Sequence, residues 1–110
     1  MKINDITTGF VKYIESVDGK VRPLLVVDIT NNEALVYKIT SKYKDKPEKT
    51  RINYFPIFQW KQAGLIKPSY IDTTSAIWLP KKQLGETLGS LSLIDIENLS
   101  RFLTQKKLNY

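Results

Sequence analysis

The feature that most restricts this chain is a strand-length apolar run, Leu24-Leu25-Val26-Val27-Asp28-Ile29, with turn residues on both sides. A half-buried strand alternates apolar and polar side chains. A nearly unbroken run of this length is the pattern of a central strand covered on both faces. Upstream, Asp18-Gly19 within Ser16 to Lys20 is a hairpin signal, because tight hairpin turns need residues that tolerate positive φ. Downstream, Thr30-Asn31-Asn32 is a second turn. The flanking segments Thr8 to Ile14 and Glu33 to Thr40 are β-rich, so the first forty residues are expected to fold as antiparallel strands around the buried one.

The rest of the chain adds weaker strands and one helix. Ser41 to Thr50 is a Lys-rich loop containing Pro47. Arg51 to Phe58 is an expected strand, pushed toward an edge or a bulge by Pro56. Trp60 to Gly64 is an expected turn, and Tyr70 to Leu79 a strand closed by Pro80. Leu84, Leu88 and Leu91 are expected in a turn-like segment broken by Gly85 and Gly89. Ser92 then has the position of an N-cap, with Asp95 three residues on as a variant capping box. Leu93, Ile96, Leu99, Phe102 and Leu103 follow helical spacing, so Leu93 to Leu103 is expected as an amphipathic helix and Gln105 to Tyr110 as a frayed tail. Several short strands and one late helix indicate a mainly β fold, either a small β-barrel or a strongly bent sheet with a helix on it. The length of 110 residues, with no repeat or linker, suits one domain over 1–110.

Composition narrows the chemistry. The chain has no cysteine and no histidine. That excludes disulfides, thiolate nucleophiles, Cys-ligated metal sites and the usual acid–base near neutral pH. The apolar run is far too short to span a membrane and the N-terminus has no signal-like core, so a cytoplasmic location is expected. The net charge of +6 is concentrated in mid-chain: residues 38–51 carry six basic and two acidic groups, whereas residues 1–37 carry four and five. Such a field suits an anionic partner, although a solubilising surface would give the same count.

Two local motifs could use that field. Pro23 lacks an amide donor, suits the first position of a strand and holds Arg22 extended at the strand mouth, where a fixed fork of donors could grip a phosphate. Lys38-Ile39-Thr40-Ser41-Lys42 places two hydroxyls between two lysines at a strand end. Each motif alone is equally compatible with a surface turn or a backbone cap. The segment Tyr54-Phe55-Pro56-Ile57-Phe58-Gln59-Trp60 is either core or a platform for unpaired bases, each stack being worth about 1–3 kcal/mol.

In order and spacing these elements resemble the MazF/PemK family of toxin endoribonucleases from type II toxin–antitoxin systems. The resemblance runs through Gly9-Phe10-Val11, Arg22-Pro23 before the apolar strand, Ile39-Thr40-Ser41, and Leu88-Gly89-Ser90-Leu91-Ser92 before the helix. It departs at Val17, where many members are acidic, and at Thr74-Ser75-Ala76-Ile77, where an acidic-Gln-x-Arg stretch is common. The resemblance implies an SH3-like barrel, a homodimer, an acidic antitoxin that folds on binding, and cofactor-free cleavage of single-stranded RNA by its own 2′-hydroxyl. It assigns the catalytic roles to Arg22 and Thr40, with Lys20, Lys38, Ser41, Lys42, Lys44, Lys46 and Lys49 as RNA contacts. The loop from Glu15 to Val21 would close on substrate. The alternatives from other classes are a gyrase poison of the CcdB type on the same barrel, and a barrel that binds RNA or protein without cutting it.

Overall fold

A computed structural model describes residues 1–11 and 20–108, with Phe10, Val11 and Lys20 through their backbone alone. The Asp18-Gly19 turn, Val17, the end of the first expected strand and the closing loop up to Gly19 lie outside the described residues. Among the described residues there are six strands: β1 (Asp5–Val11), β2 (Lys20–Ile29), β3 (Glu33–Thr40), β4 (Tyr54–Pro56), β5 (Tyr70–Pro80) and β6 (Leu84–Ser90). With them, among the described residues, come two α-helices, the single turn α1 (Glu48–Arg51) and the long α2 (Leu93–Leu108), and a 3₁₀ turn at Lys81–Gln83. All six strands form one antiparallel sheet in the order β4-β5-β3-β2-β1-β6. Among the described residues no helix is long and apolar enough to cross a membrane.

The mainly β fold with a C-terminal helix agrees with the sequence expectation, but the hydrogen-bonded ladder does not close into a barrel: β4 and β6 remain edges. The sheet rolls instead. β5 pairs with β3 in two registers, Val36↔Ile77 and then Lys38↔Asp72, which leaves three extra residues on β5 between them. Extra residues on one strand bend it and increase the local twist. The connection between β4 and β5 meets β6, where Gly64 and Gly89 approach closely. A Cβ on Gly64 would strike the Leu88 carbonyl, and one on Gly89 would strike that of Ala63. Gly64 also has φ +93°, a conformation that side chains rarely adopt.

β2 is central and buried on both faces, as its composition requires. Leu25 joins Ile6, Ile39, Phe55, Ile71 and Leu99 in the core under α2. Leu24 and Val26 face the other way, into a second cluster with Ala34, Val36 and Leu79. Alternation along β2 thus feeds two cores.

Several local expectations change. The segment expected as a broken turn is β6, since Leu84 to Ser90 pairs with β1 and its glycines sit where neighbouring segments approach closely. The strand expected over Arg51 to Phe58 shrinks to Tyr54–Pro56, because α1 takes the preceding turn. That helical turn follows Pro47 and opens on Glu48, a favourable start inside the expected loop. Helix α2 runs to Leu108 and does not fray at Gln105. The Lys106 ammonium donates to the Thr73 carbonyl (3.1 Å) and hydroxyl (2.9 Å), tying the last turn to β5. Burial there pushes the Lys106 pKa down, against the opposing pull of Asp72. Leu93, expected on the packed face, is 70% exposed in the first turn of α2.

Asp95 joins α2 to the segment after β4. It is fully buried. Its two carboxylate oxygens accept the amides of Phe58 (2.9 Å) and Gln59 (2.8 Å), while Ser92 Oγ accepts the Asp95 amide at 3.2 Å as the expected cap.

A second carboxylate joins the ends of β1 and β6. Asp5 accepts the Ser90 hydroxyl (2.6 Å) and the Lys2 amide (2.8 Å). Burial raises the Asp5 pKa, but these hydrogen bonds and the charges of Lys2 and the N-terminus outweigh it, and the net shift is downward from 3.8. A carboxyl with a depressed native pKa contributes stability above its unfolded value and loses it as pH falls through the native one. Asp5→Asn should therefore flatten the fall in melting temperature below about pH 4 and leave its own melting temperature less pH-dependent there. Parallel acid limbs for the two proteins would contradict this.

Candidate nucleic-acid interface

The β2–β3 ladder sets the site. Its paired residues end at Leu24↔Lys38, and continuing that register by two residues puts Arg22 opposite Thr40. Both then point to the face that carries Leu24, Val26, Ala34 and Val36. One sheet face is thus apolar along its middle and polar at one end. Pro23 does not open the strand as expected: β2 begins at Lys20, so Pro23 is its fourth residue, paired with Thr8, and Arg22 lies inside the strand opposite Gly9.

At the polar end lies a cleft of about 620 Å³. It is lined by Arg22, Lys38, Thr40, Ser41, Lys42 and Lys46 among the expected residues. Lys44 and Lys49 do not line it; both are exposed, Lys44 in the loop and Lys49 on α1, whose turn carries it away. Nothing is described of the Lys20 side chain. The lining also includes Tyr54, from the segment offered above as a base platform, and Leu65, Ile66, Lys67 and Ser69 before β5, which the sequence analysis did not single out. Lys67 adds another cation opposite the β3 residues.

Asp72 is the unexpected member. The register places it across from Lys38, and its carboxylate lies 3.7 Å from the Lys38 ammonium. It also accepts the Thr74 amide at 2.9 Å. A buried carboxylate in a cationic cleft needs such partners, and the pair holds Lys38 at the cleft floor. No signal in the linear sequence links residues 38 and 72; only the β3–β5 register does.

Thr40 is oriented by its own chain. Its Oγ1 accepts the Lys42 amide at 3.1 Å, a turn closed by a hydroxyl, which leaves the hydroxyl hydrogen available as a donor. The aromatic segment after residue 53 contributes mainly to packing: Tyr54, Phe55 and Ile57 are buried and Trp60 packs on the core, while Tyr54 also lines the cleft and Phe58 is 74% exposed. Among the described residues no three or more acidic side chains group as a metal site would require.

Arrangements of this kind can hold a phosphodiester: a guanidinium and a hydroxyl face each other across two strands, with several ammonium groups on the rim. No family model matches the sequence, and no curated protein matches it. Among solved structures, an endoribonuclease in complex with its cognate antitoxin, from Mycobacterial species, superposes with a TM-score of 0.67 at 13% identity, over 96% of this chain and 90% of that one. At that identity the likeness is one of architecture: this chain shares the fold of that endoribonuclease.

Proposed function

We propose that this protein is a MazF/PemK-type toxin that cleaves single-stranded RNA, messenger RNA above all, and is neutralised by a cognate antitoxin. The observation that carries this reading is the convergence of Arg22 and Thr40, eighteen residues apart in the chain, on one cationic cleft. The shared fold with an endoribonuclease captured with its antitoxin supports it.

In this reading the substrate supplies its own nucleophile. The 2′-oxygen forms a bond to the adjacent phosphorus, the bond from phosphorus to the 5′-oxygen breaks, and the proton released by the first is balanced by the one the second takes up. The products are a 2′,3′-cyclic phosphate and a 5′-hydroxyl. The protein's part is to hold the linkage in line and to stabilise charge as it grows on the non-bridging oxygens. Arg22 does the latter with permanent charge; a guanidinium is a poor base because it does not give up its proton in proteins. Thr40 donates to a non-bridging oxygen. Lys38, Ser41, Lys42 and Lys46 hold the flanking phosphates, and Lys67 joins them. The antitoxin is read as an acidic segment that orders over the same cations, and the active unit as a homodimer.

The test is direct. Purified protein incubated with a long single-stranded RNA in EDTA should yield fragments bearing cyclic-phosphate and 5′-hydroxyl ends. RNA that stays intact while shifting in a gel would replace the nuclease with a binding module. Intact RNA together with gyrase trapped on DNA would replace it with a gyrase poison.

A further inference from the structure

The Lys-rich loop after β3 does not lie freely on the surface: Tyr43 plugs it into the sheet. The Tyr43 ring stacks on Tyr70 of β5, with centroids 4.4 Å apart and planes 13° from parallel. Tyr54 of β4 meets both rings at a tilt, at 6.2 and 6.5 Å. The Arg51 guanidinium, at the end of α1, lies over the Tyr43 ring 5.5 Å from its centroid. An offset pair and a cation over a ring are each attractive beyond the area they bury. Tyr43 is therefore held by β4, β5 and α1 together.

Its backbone neighbours are the ones the cleft uses. The next residue back, Lys42, gives its amide to Thr40 Oγ1, and the Tyr43 carbonyl accepts the Lys46 amide at 3.1 Å. Lys42 and Lys46 both line the cleft. Fixing the ring fixes the peptide that holds the Thr40 hydroxyl.

From this geometry we infer that Tyr43 is a positioning residue for the RNA-cleaving site: its stacking on Tyr70 sets the Lys42 amide and, through it, the orientation of the Thr40 hydroxyl. The inference rests on the proposed nuclease reading for its kinetic consequence, but its structural consequence stands without it. The ring has no part in the chemistry, so the hydroxyl of Tyr43 is dispensable and its aromatic face is not.

Two measurements test it. The first is hydrogen exchange at the Lys42 amide. In Tyr43→Ala this amide should exchange about fivefold faster or more, as loss of one modest hydrogen bond allows, while Tyr43→Phe matches wild type. The second is a double-mutant cycle on kcat for RNA cleavage. Tyr43→Ala alone should lower kcat about tenfold, and the same substitution in a Thr40→Val background should lower it no further, because the ring acts through that hydroxyl. Loss of general stability would instead lower both backgrounds equally. Wild-type exchange at Lys42 in Tyr43→Ala overturns the inference, as does an additive cycle or a Tyr43→Phe protein as impaired as Tyr43→Ala. If the wild-type protein leaves RNA uncut, the nuclease reading fails, and the exchange experiment still decides whether the ring sets the loop.

Discussion

Arg22→Ala should reduce the rate of RNA cleavage by about 10²–10³, the loss typical of removing one aimed charge-stabilising donor. The circular dichroism spectrum and melting temperature should stay close to wild type, because Arg22, the third residue of β2, opens on the cleft, and Leu24, Leu25 and Val26 carry the packing of that strand. Arg22→Lys should fall between the two: it keeps the charge but loses the planar fork that can meet two phosphate oxygens at once. Single-turnover cleavage of a short RNA, measured for all three proteins, separates these outcomes. An alanine variant that cleaves within a few-fold of wild type would remove Arg22 from the chemistry and, with it, the main reason to read the cleft as a nuclease site.

The largest effect on stability is expected at Asp95. Replacing it by alanine leaves the part-buried amides of Phe58 and Gln59 without these acceptors and removes the carboxylate that accepts the Ser92 hydroxyl at 3.2 Å, while the Asp95 amide keeps its bond to Ser92 Oγ. Unpaired buried donors cost about 1–3 kcal/mol each, so a total near 2–5 kcal/mol is expected. Domains of this size are stable by only about 5–15 kcal/mol. The melting temperature should accordingly drop by roughly 10 °C or more. Asp95→Asn keeps one carbonyl acceptor and should lose about half as much. A differential scan in which Asp95→Ala melts within 2 °C of wild type, at the order of precision such shifts carry, would mean that the carboxylate does not join α2 to the segment after β4.

What the linear sequence disclosed follows from which forces are local. The two-sided burial of β2 was legible because a run of branched and aliphatic residues between two turns has few other solutions. The cap of α2 was legible because Ser92 and Asp95 act within three residues of each other. β6 was not: Gly85 and Gly89 look like breakers, and what makes room for glycine there is contact with Thr8 and with Ala63, distant in the chain. The far end of α2 was hidden for a similar reason, since Lys106 gains its partners only once β5 is in place. At the cleft, Arg22 and Thr40 stood out through their neighbours Pro23 and Ser41. Asp72 and Lys67 did not, because their relevance comes from strand pairing and from a loop that the rolled sheet folds back.

The two-faced burial of β2 has a consequence for how the chain finds its pairing. Most strands are protected from slipping by one residue because the slip would turn a greasy face outward. β2 has no such protection, since Leu24, Leu25 and Val26 are equally at home on either side. The punctuation is at its ends: a one-residue slip would carry the Arg22 guanidinium across the sheet into the layer of Leu25 and Ile39, while Asp28, exposed beside a bulge, would have to move toward an interior. The guanidinium proposed to grip a phosphate thus doubles as a frame marker, disfavouring the misaligned sheet before any ligand is present.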